Sequence, residues 1–182
     1  MNRTFSRGVS ASLFMLLVAG CSTAPKTVEK RMDLQQEAAM KMSMAKAKDP
    51  SLKMFFNDAA GYAVFPTVGK GGLVVGGAYG KGVLYERGKA TAYCDLTQAT
   101  VGAQVGGQAY TELIFFETPK ALADFKAGDY TLSAQATAVA LKSGAATNAK
   151  YSNAIAVFTT DESGLMAEAA IGGQKFTVAP LP

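Results

Sequence analysis

The feature that most constrains the fold is a change of sequence period at Gly61. Upstream of it, Thr27 to Lys48 is dominated by Ala, Met, Lys, Gln and Glu, which favour helix. Downstream, apolar and polar residues alternate with a period of two, which is typical of strands. The sequence therefore predicts an α+β fold, with an N-terminal helical segment and a curved, mainly antiparallel, barrel-like sheet.

Turn-forming residues divide the β region. We expect a short strand at Tyr62–Phe65 that ends before Pro66, and a long strand or broken hairpin over Gly71–Glu86. Arg87-Gly88-Lys89 is typical of a turn, and a further strand is expected at Ala90–Asp95. Upstream, Asp49-Pro50 is expected to end the first helix and start a shorter one.

The clearest alternation runs from Thr97 to Phe116, with the odd positions expected in the core and the even positions in water. Because twenty residues exceed a usual strand, we expect a bend or hairpin near Gly106-Gly107. The remaining elements are a short helix near 119–127, capped by Thr118 and closed by Gly128, and strands at Tyr130–Leu141, Ala154–Thr160 and Leu165–Ile171. The last two strands are expected to form a hairpin through residues 161–164, and Phe176–Val178 is expected to pair again.

The first twenty residues have the form of a secretory signal. Arg3 and Arg7 precede an apolar run of about eleven residues, too short to span a bilayer, which needs about 20. Small residues then precede Cys21, an order that resembles a bacterial lipobox. The resemblance implies cleavage before Cys21, acylation of Cys21 and a tether over residues 21–26, with a single domain over 27–182. Ser22 resembles the outer-membrane class of such lipoproteins, and the leaflet stays open.

Composition excludes most catalytic and metal chemistry. The chain has no His, which removes Ser-His-Asp triads, Cys-His pairs and His-ligated metals. Two cysteines are too few for a Cys-only zinc or iron–sulfur site. We therefore expect no enzymatic activity and no cofactor. The signal segment carries two of the 18 basic residues and none of the 14 acidic ones, so the remaining balance of 16 to 14 argues against a nucleic-acid partner.

Three groups of side chains have an ordinary structural interpretation beside a chemical one. Cys94 is expected to be a small buried apolar residue, the alternative being a reactive thiol. The carboxylates of Asp95, Glu112 and Glu117 are expected in solvent, the alternative being a catalytic pair. The N-terminal methionines are expected to pack on lipid or on the sheet rather than to bind copper.

Four glycine-rich or turn blocks occur in a fixed order: Gly61-Tyr-Ala-Val-Phe-Pro66, Gly71 to Val83, Val101 to Gln108, and Ser163 to Glu168. This series resembles the SYLF-domain family, over about Val28 to Val178. The family was first described around yeast actin-patch proteins and has many bacterial lipoprotein members. The resemblance implies a module that binds phospholipid or phosphoinositide. It also implies actin binding in some eukaryotic members, which is not expected in a bacterial envelope.

Basic residues mark the expected lipid contact. Lys70, Lys81, Arg87 and Lys89 lie in the glycine-rich block, where amine and guanidinium donors suit a phosphate. We expect them to bind phospholipid headgroups at a membrane surface, the alternative being solvated strand ends and turns. A second functional hypothesis is an envelope scaffold that binds another protein through a sheet edge or the N-terminal helix.

Overall fold

The structure, a computed structural model, describes residues 23–72, 75–101, 107–128, 130–133, 137–161 and 168–182. The predicted signal segment and Cys21 lie outside these residues. Helix α1 spans Val28–Lys48, a 3₁₀ turn spans Pro50–Leu52, α2 spans Lys53–Asp58 and α3 spans Pro119–Lys126. None of the described helices is both long enough and apolar enough to cross a membrane.

Both predicted helix starts are confirmed. The Thr27 side chain accepts a hydrogen bond from the Lys30 backbone N–H, 3.3 Å, and α1 ends before Asp49. The fully buried Asp49 carboxylate accepts from the backbone of Ser51 and, 2.7 Å away, from the distant Ala146 N–H. Asp49 therefore caps the 3₁₀ turn and also fixes the later loop, which contains a 3₁₀ turn at Ala145–Asn148.

The described strands form one nine-stranded sheet in the order β5-β9-β3-β2-β1-β4-β7-β6-β8. Every neighbouring pair is antiparallel except β6 and β7. The strands are β1 Gly61–Gly72, β2 Val75–Glu86, β3 Lys89–Val101, β4 Gly107–Phe116, β5 Tyr130–Thr131, β6 Thr137–Ala140, β7 Ile155–Asp161, β8 Glu168–Ala170 and β9 Lys175–Pro180.

The sheet curls into a half-barrel, as the α+β prediction required. Gln174 immediately precedes β9, and its side chain contacts Tyr110 and Glu112 on β4, four places away in the sheet order. Such contacts require the sheet to bend until β9 and β4 face each other across its concave side. The predicted fold class is therefore confirmed.

Each face of the sheet carries its own core. The concave core contains Phe65, Ile114, Phe116 and Phe176, and it is closed at one end by Leu122 and Phe125 of α3. The convex core contains Val83, Leu113, Phe115 and Phe158, and it is covered by α1, the 3₁₀ turn and α2. Gly82 lets β1 and β2 approach closely, because a Cβ there would lie 2.7 Å from both the Phe65 ring and the Val64 carbonyl.

This double coverage overturns the expected alternation of wet and dry faces. Tyr110 to Phe116 is buried at every position, with even residues in the concave core and Leu113 and Phe115 in the convex core. In β3 the expected phase is reversed, since Gln98 is buried while Thr97 and Ala99 are exposed. The sequence prediction failed because it assumed that helices cover only one face.

The strands also differ from the prediction at Pro66 and between β3 and β4. Strand β1 continues through Pro66, where a bulge accommodates the missing N–H and Thr111 donates 2.7 Å to the Pro66 carbonyl. Two separate strands occupy the described parts of Thr97–Phe116, but β3 and β4 do not form the hairpin expected near Gly106-Gly107, because β2 and β1 lie between them. Residues 102–106 lie outside the described part.

The C-terminal strands follow the same pattern of partial agreement. Strand β7 does not form a hairpin with β8, because β6 separates them, and turn residues 162–164 lie outside the described part. The expected strand Tyr130–Leu141 is two strands, β5 and β6, with 134–136 undescribed. The turn at 87–89, the α3 boundaries and the pairing of β9 are confirmed.

Candidate functional site

The four predicted basic residues are not brought together. Lys70 pairs with Ala78 and therefore lies on the concave face, whereas Lys81 lies on the convex face. Arg87 and Lys89 occupy the turn at the far end of the β2–β3 hairpin, roughly 30 Å along the strand from Lys70. These four residues cannot surround one headgroup, and their role as lipid contacts stays a prediction.

Lys81 has internal partners. Its amine donates to the Asp95 carboxylate at 2.8 Å and to the Thr23 carbonyl at 3.0 Å, and it lies 5.9 Å from the centre of the Tyr79 ring. Burial alone would lower the pKa of Lys81, but the hydrogen bond and charge of Asp95 outweigh it and the pKa is raised. Lys81 therefore ties the segment that precedes α1 to the sheet.

Cys94 is confirmed as a buried apolar position. It is inaccessible to solvent in the concave core, and burial strongly raises the pKa of its thiol. A thiol held in its neutral form is a poor nucleophile. Within the described residues, no three His, Cys, Asp or Glu side chains converge as a metal site.

Glu112 lies in the concave core rather than in solvent, which corrects the expectation made for it; Asp95 is buried as well, while Glu117 is exposed. Gln174 Nε2 donates to Glu112 Oε2 at 3.0 Å and to the Tyr110 hydroxyl at 3.3 Å. Burial raises the pKa of Glu112 to about 7 against the effect of these hydrogen bonds.

The sequence contained a signal for this burial. It was missed because the odd positions of Thr97–Phe116 were assigned to the core and the even positions to solvent. Tyr110, Ile114 and Phe116 share the even face of β4 with Glu112, so a carboxylate at that position stands in an apolar series. Among the described residues, Glu112 Oε1 and Gln174 Oε1 have no hydrogen-bond partner. The pair forms a polar link across the half-barrel that binds β4 to the turn before β9.

The outward face of α1 exposes large apolar side chains. Met32, Met40 and Met44 are 66%, 52% and 57% exposed, and Val28 and Met54 are exposed too. The opposite side of α1 is held to the sheet by Ala38 and Ala45 in the convex core and by a 2.8 Å hydrogen bond from Gln35 to the Tyr93 hydroxyl. Of the two environments expected for the methionines, lipid or the sheet, Met42 packs against the convex core, while contact of the exposed methionines with lipid stays a prediction.

Two adjoining cavities lie among α2, the loop that precedes β7 and the segment Tyr130–Ser133. The smaller, about 350 Å³, is lined by α2 and by Glu117, Lys150 and Tyr151. The larger, about 630 Å³, is a groove between the segment Tyr130–Ser133 and the start of β7. Strand β5 is an edge of the described sheet, and β6 pairs with β7 only at Phe158 and Thr159, so Ala156 and Val157 have no β6 partner beside this groove, which we call the seam groove. Ala149 and Lys150 line both cavities.

Comparison with known proteins identifies the domain. Residues 97–180 match the family described as Ysc84, Las17-binding protein actin regulator, which is the SYLF-domain family. The chain is also 32% identical over 157 residues to Beta cell expansion factor A of Aeromonas veronii, a SYLF-family protein. That alignment covers 85% of this chain and 59% of the relative, so the chain spans about three fifths of the relative's length.

Family membership supports a lipid-binding or scaffold role. The match starts at Thr97, within β3, and ends with β9 at Pro180, so it contains α3, the Glu112–Gln174 link and both walls of the seam groove. The chain therefore carries the SYLF-family domain that its glycine-rich blocks predicted.

Proposed function

We propose that this protein is a lipid-anchored envelope protein that binds phospholipid membranes without catalysis, with the outward face of α1 as its principal membrane contact. The observation that carries the proposal is the exposure of Met32, Met40 and Met44 on one helix. Unbranched thioether side chains adapt to an irregular apolar environment, and a bilayer interface provides one.

Basic residues on α1 support the same contact. Lys30, Lys41, Lys46 and Lys48 lie on the helix that carries the methionines; the Lys46 amine lies 4.0 Å from the centre of the Phe56 ring and Lys48 donates to Thr160, so these two would exchange an internal contact for a headgroup. Long lysine side chains can extend towards headgroups while apolar neighbours insert, and each is worth about 1 kcal/mol near an anionic surface. The helix carries three acids as well, so we expect apolar insertion to contribute more than charge.

The predicted acyl anchor would supply proximity. Cys21 precedes the start of α1 by only seven positions, so acylation there would hold the helix close to the bilayer. At the resulting high effective concentration even a weak interfacial helix stays bound. On the resemblance of Ser22 to the sorting signal, we propose the outer membrane as the location.

The basic residues of the sheet become secondary contacts in this proposal. Lys70, Arg87 and Lys89 are too far apart to form one site, so each would meet a different lipid headgroup. Lys81, which is engaged with Asp95, is assigned to structure. Neutralising the first three should therefore reduce the preference for anionic lipid without abolishing binding.

Vesicle co-sedimentation tests the proposal. Both cores are formed by residues within 24–181, so a chain begun at Ser22 retains them and removes the acyl anchor. We expect it to bind phosphatidylglycerol vesicles better than phosphatidylcholine vesicles, with affinity that falls as salt rises. The triple variant M32Q/M40Q/M44Q should lose at least about tenfold in affinity, because burial of each methionine contributes on the order of 1 kcal/mol or more.

The control is the triple variant K70Q/R87Q/K89Q. We expect it to retain binding and to lose part of its salt dependence. Absence of vesicle binding by the parent chain would contradict the proposal, and so would equal binding by the methionine variant. In that case the scaffold role is favoured, since an exposed methionine-rich face also suits a protein partner, and pull-down with the same variants would test it.

A further inference from the structure

The two adjoining cavities differ in chemistry and share one lysine. The smaller is lined by Asp58 and Glu117, the larger combines apolar core side chains with Ser, Thr and Asn side chains, and Lys150 lines both. The acidic, basic and apolar surfaces lie next to one another, and none of the residues that line the two cavities belongs to α1.

The smaller cavity has the acceptors that a primary ammonium group needs. Its Tyr151 hydroxyl is buried and has no hydrogen-bond partner among the described residues. Burial, followed by the negative charges of Glu117 and Asp58, raises the pKa of Tyr151 to about 12. An ammonium has three N–H donors, and two carboxylates with a phenol oxygen provide three acceptors.

Aromatic rings complete the floor of the smaller cavity. Phe55 and Tyr151 pack against each other with their ring centres 5.2 Å apart, and both line the cavity. The face of an aromatic ring attracts a cation. The chemistry of this cavity therefore suits a small cation with N–H groups.

The apolar part of the larger cavity suits an alkyl chain, while Thr131, Ser133, Ser152 and Asn153 form its polar part. Leu132, Ile155, Val157 and Ile171 line it, and all four belong to the buried concave core. No hydrogen bonds join β5 to β7 in the described pairing, so an apolar chain can lie in the seam without displacing a ladder. Its volume of about 630 Å³ falls in the range of roughly 300–1,000 Å³ that is usual for small-ligand sites.

Lys150 joins the two cavities and carries the opposite charge to the carboxylates. Lys150 is exposed, so its amine can bind a phosphate. The Lys81 amine, by contrast, would first have to give up its hydrogen bond to Asp95. The acidic site, Lys150 and the apolar groove thus follow one another along the surface. A phospholipid with a primary-amine headgroup has its ammonium, phosphate and acyl chain in the same order.

We propose that these cavities together bind one phospholipid of the ethanolamine type, with its ammonium between Asp58 and Glu117, its phosphate on Lys150 and an acyl chain in the seam groove. This inference rests on the proposed phospholipid function and defines a site for a single lipid molecule. It predicts headgroup selectivity opposite to that of α1, since the acidic cavity disfavours an anionic headgroup.

Calorimetric titration with monomeric lipid tests this site apart from the membrane surface. The chain begun at Ser22 is titrated with dihexanoyl phosphatidylethanolamine below its micelle concentration, and in parallel with the phosphatidylcholine and phosphatidylglycerol analogues. We expect the ethanolamine lipid to bind at least about tenfold more tightly than either, because a quaternary ammonium cannot donate hydrogen bonds and a glycerol headgroup has no cation.

Three variants assign the contacts. Lys150→Gln should weaken binding about tenfold, while Lys142→Gln, a matched exposed lysine outside both cavities, should leave it unchanged. Ser133→Trp should abolish binding by filling the groove from an exposed position. Because the chain has no other tryptophan, a blue-shifted emission from the introduced side chain would show that it occupies the groove.

The outcomes separate this inference from the proposed function. Lys150→Gln should bind phosphatidylglycerol vesicles within about twofold of the parent. Vesicle binding without monomer binding, or equal affinity for ethanolamine and choline lipids, would overturn the single-lipid site and leave the α1 proposal standing. Monomer binding together with vesicle binding that is insensitive to the methionine substitutions would overturn the α1 proposal alone.

Discussion

Glu112→Gln should stabilise the protein above neutral pH and remove most of the pH dependence of its stability. The carboxyl is fully buried in the concave core, where its pKa is raised to about 7 from an ordinary 4.5. The unfolded chain loses this proton near pH 4.5, whereas the folded chain keeps it until about pH 7. Because the folded state binds more protons in this window, its stability falls as pH rises through it.

The magnitude follows from the size of the shift. A difference of 2.5 between 7 and 4.5 corresponds to about 3 kcal/mol at pH 8, and to almost nothing at pH 4.5 or below. The amide of the variant stays neutral, and its NH₂ adds a donor beside Gln174 Oε1, which has no partner among the described residues. We therefore expect Glu112→Gln to be more stable than the parent by about 3 kcal/mol at pH 8, which is a rise of roughly 10 °C in Tm.

Urea unfolding followed by far-ultraviolet circular dichroism, between pH 5 and pH 8, measures this effect. The absence of His simplifies the comparison, because no imidazole titrates in the range. Glu117→Gln, which neutralises an exposed carboxylate next to the same strand, should retain the pH slope of the parent. An unchanged slope in Glu112→Gln, or a less stable variant at pH 8, would refute the account of Glu112 as a buried acid without sufficient partners.

Three further predictions concern packing and reactivity. Gly82→Ala should destabilise the fold by about 1–3 kcal/mol in the same urea assay, because the new Cβ would lie 2.7 Å from a buried ring and from a carbonyl. Gly69→Ala, whose new Cβ would have its nearest contact at 4.0 Å, should be nearly neutral. Equal effects of the two substitutions would contradict the close packing at Gly82. Lys81→Ala should cost about 1–3 kcal/mol by removing the charged donor to the buried Asp95, which keeps only a hydrogen bond from Thr23. A double-mutant cycle with Asp95→Asn should show coupling, whose absence would argue against the pair. Cys94, the one thiol in a chain begun at Ser22, should react with an aromatic disulfide reagent only as the protein unfolds in urea, and rapid labelling of the native chain would show that the core is open.

Local structure could be predicted because it depends on neighbouring residues. Thr27, Asp49 and Thr118 accept hydrogen bonds at the starts of their helical segments, and Arg87-Gly88 forms the turn between β2 and β3. Arg87 and Gly88 both have positive φ, 50° and 77°, a conformation that favours glycine in the second position. Signals of this kind are contained within four or five residues.

Strand order could not be predicted, because it depends on contacts between distant segments. The alternation in Thr97–Phe116 predicts two strands, but nothing in it shows that β1 and β2 lie between them. The same is true of β6, which separates β7 from β8 through a parallel pairing. Two strands joined by a turn signal are most simply interpreted as a hairpin. Here the burial of apolar residues by distant segments favours a different strand order.

The candidate sites illustrate the same limit. Clustering of Lys70, Lys81, Arg87 and Lys89 in sequence suggested one anion site, but a strand advances about 3.3 Å per residue and alternates faces, which disperses them. Lys150 and Glu117 were separated by more than thirty positions and had no shared motif, yet they line one cavity. Proximity in a β protein therefore comes from register and curvature.

The residues covered by the family match suggest which part of the chain forms each of the two proposed lipid contacts. Both walls of the seam groove lie within residues 97–180, as does the Glu112–Gln174 link that holds the turn beside Ile171 against β4. The groove is thus built by the part of the chain that the family match covers. The α1 methionines and Asp58 lie outside that part. On this argument the proposed groove and the headgroup contacts of Glu117, Tyr151 and Lys150 belong to the family-matched part, whereas the proposed membrane face of α1 and the Asp58 carboxylate are added by the segment that precedes β1.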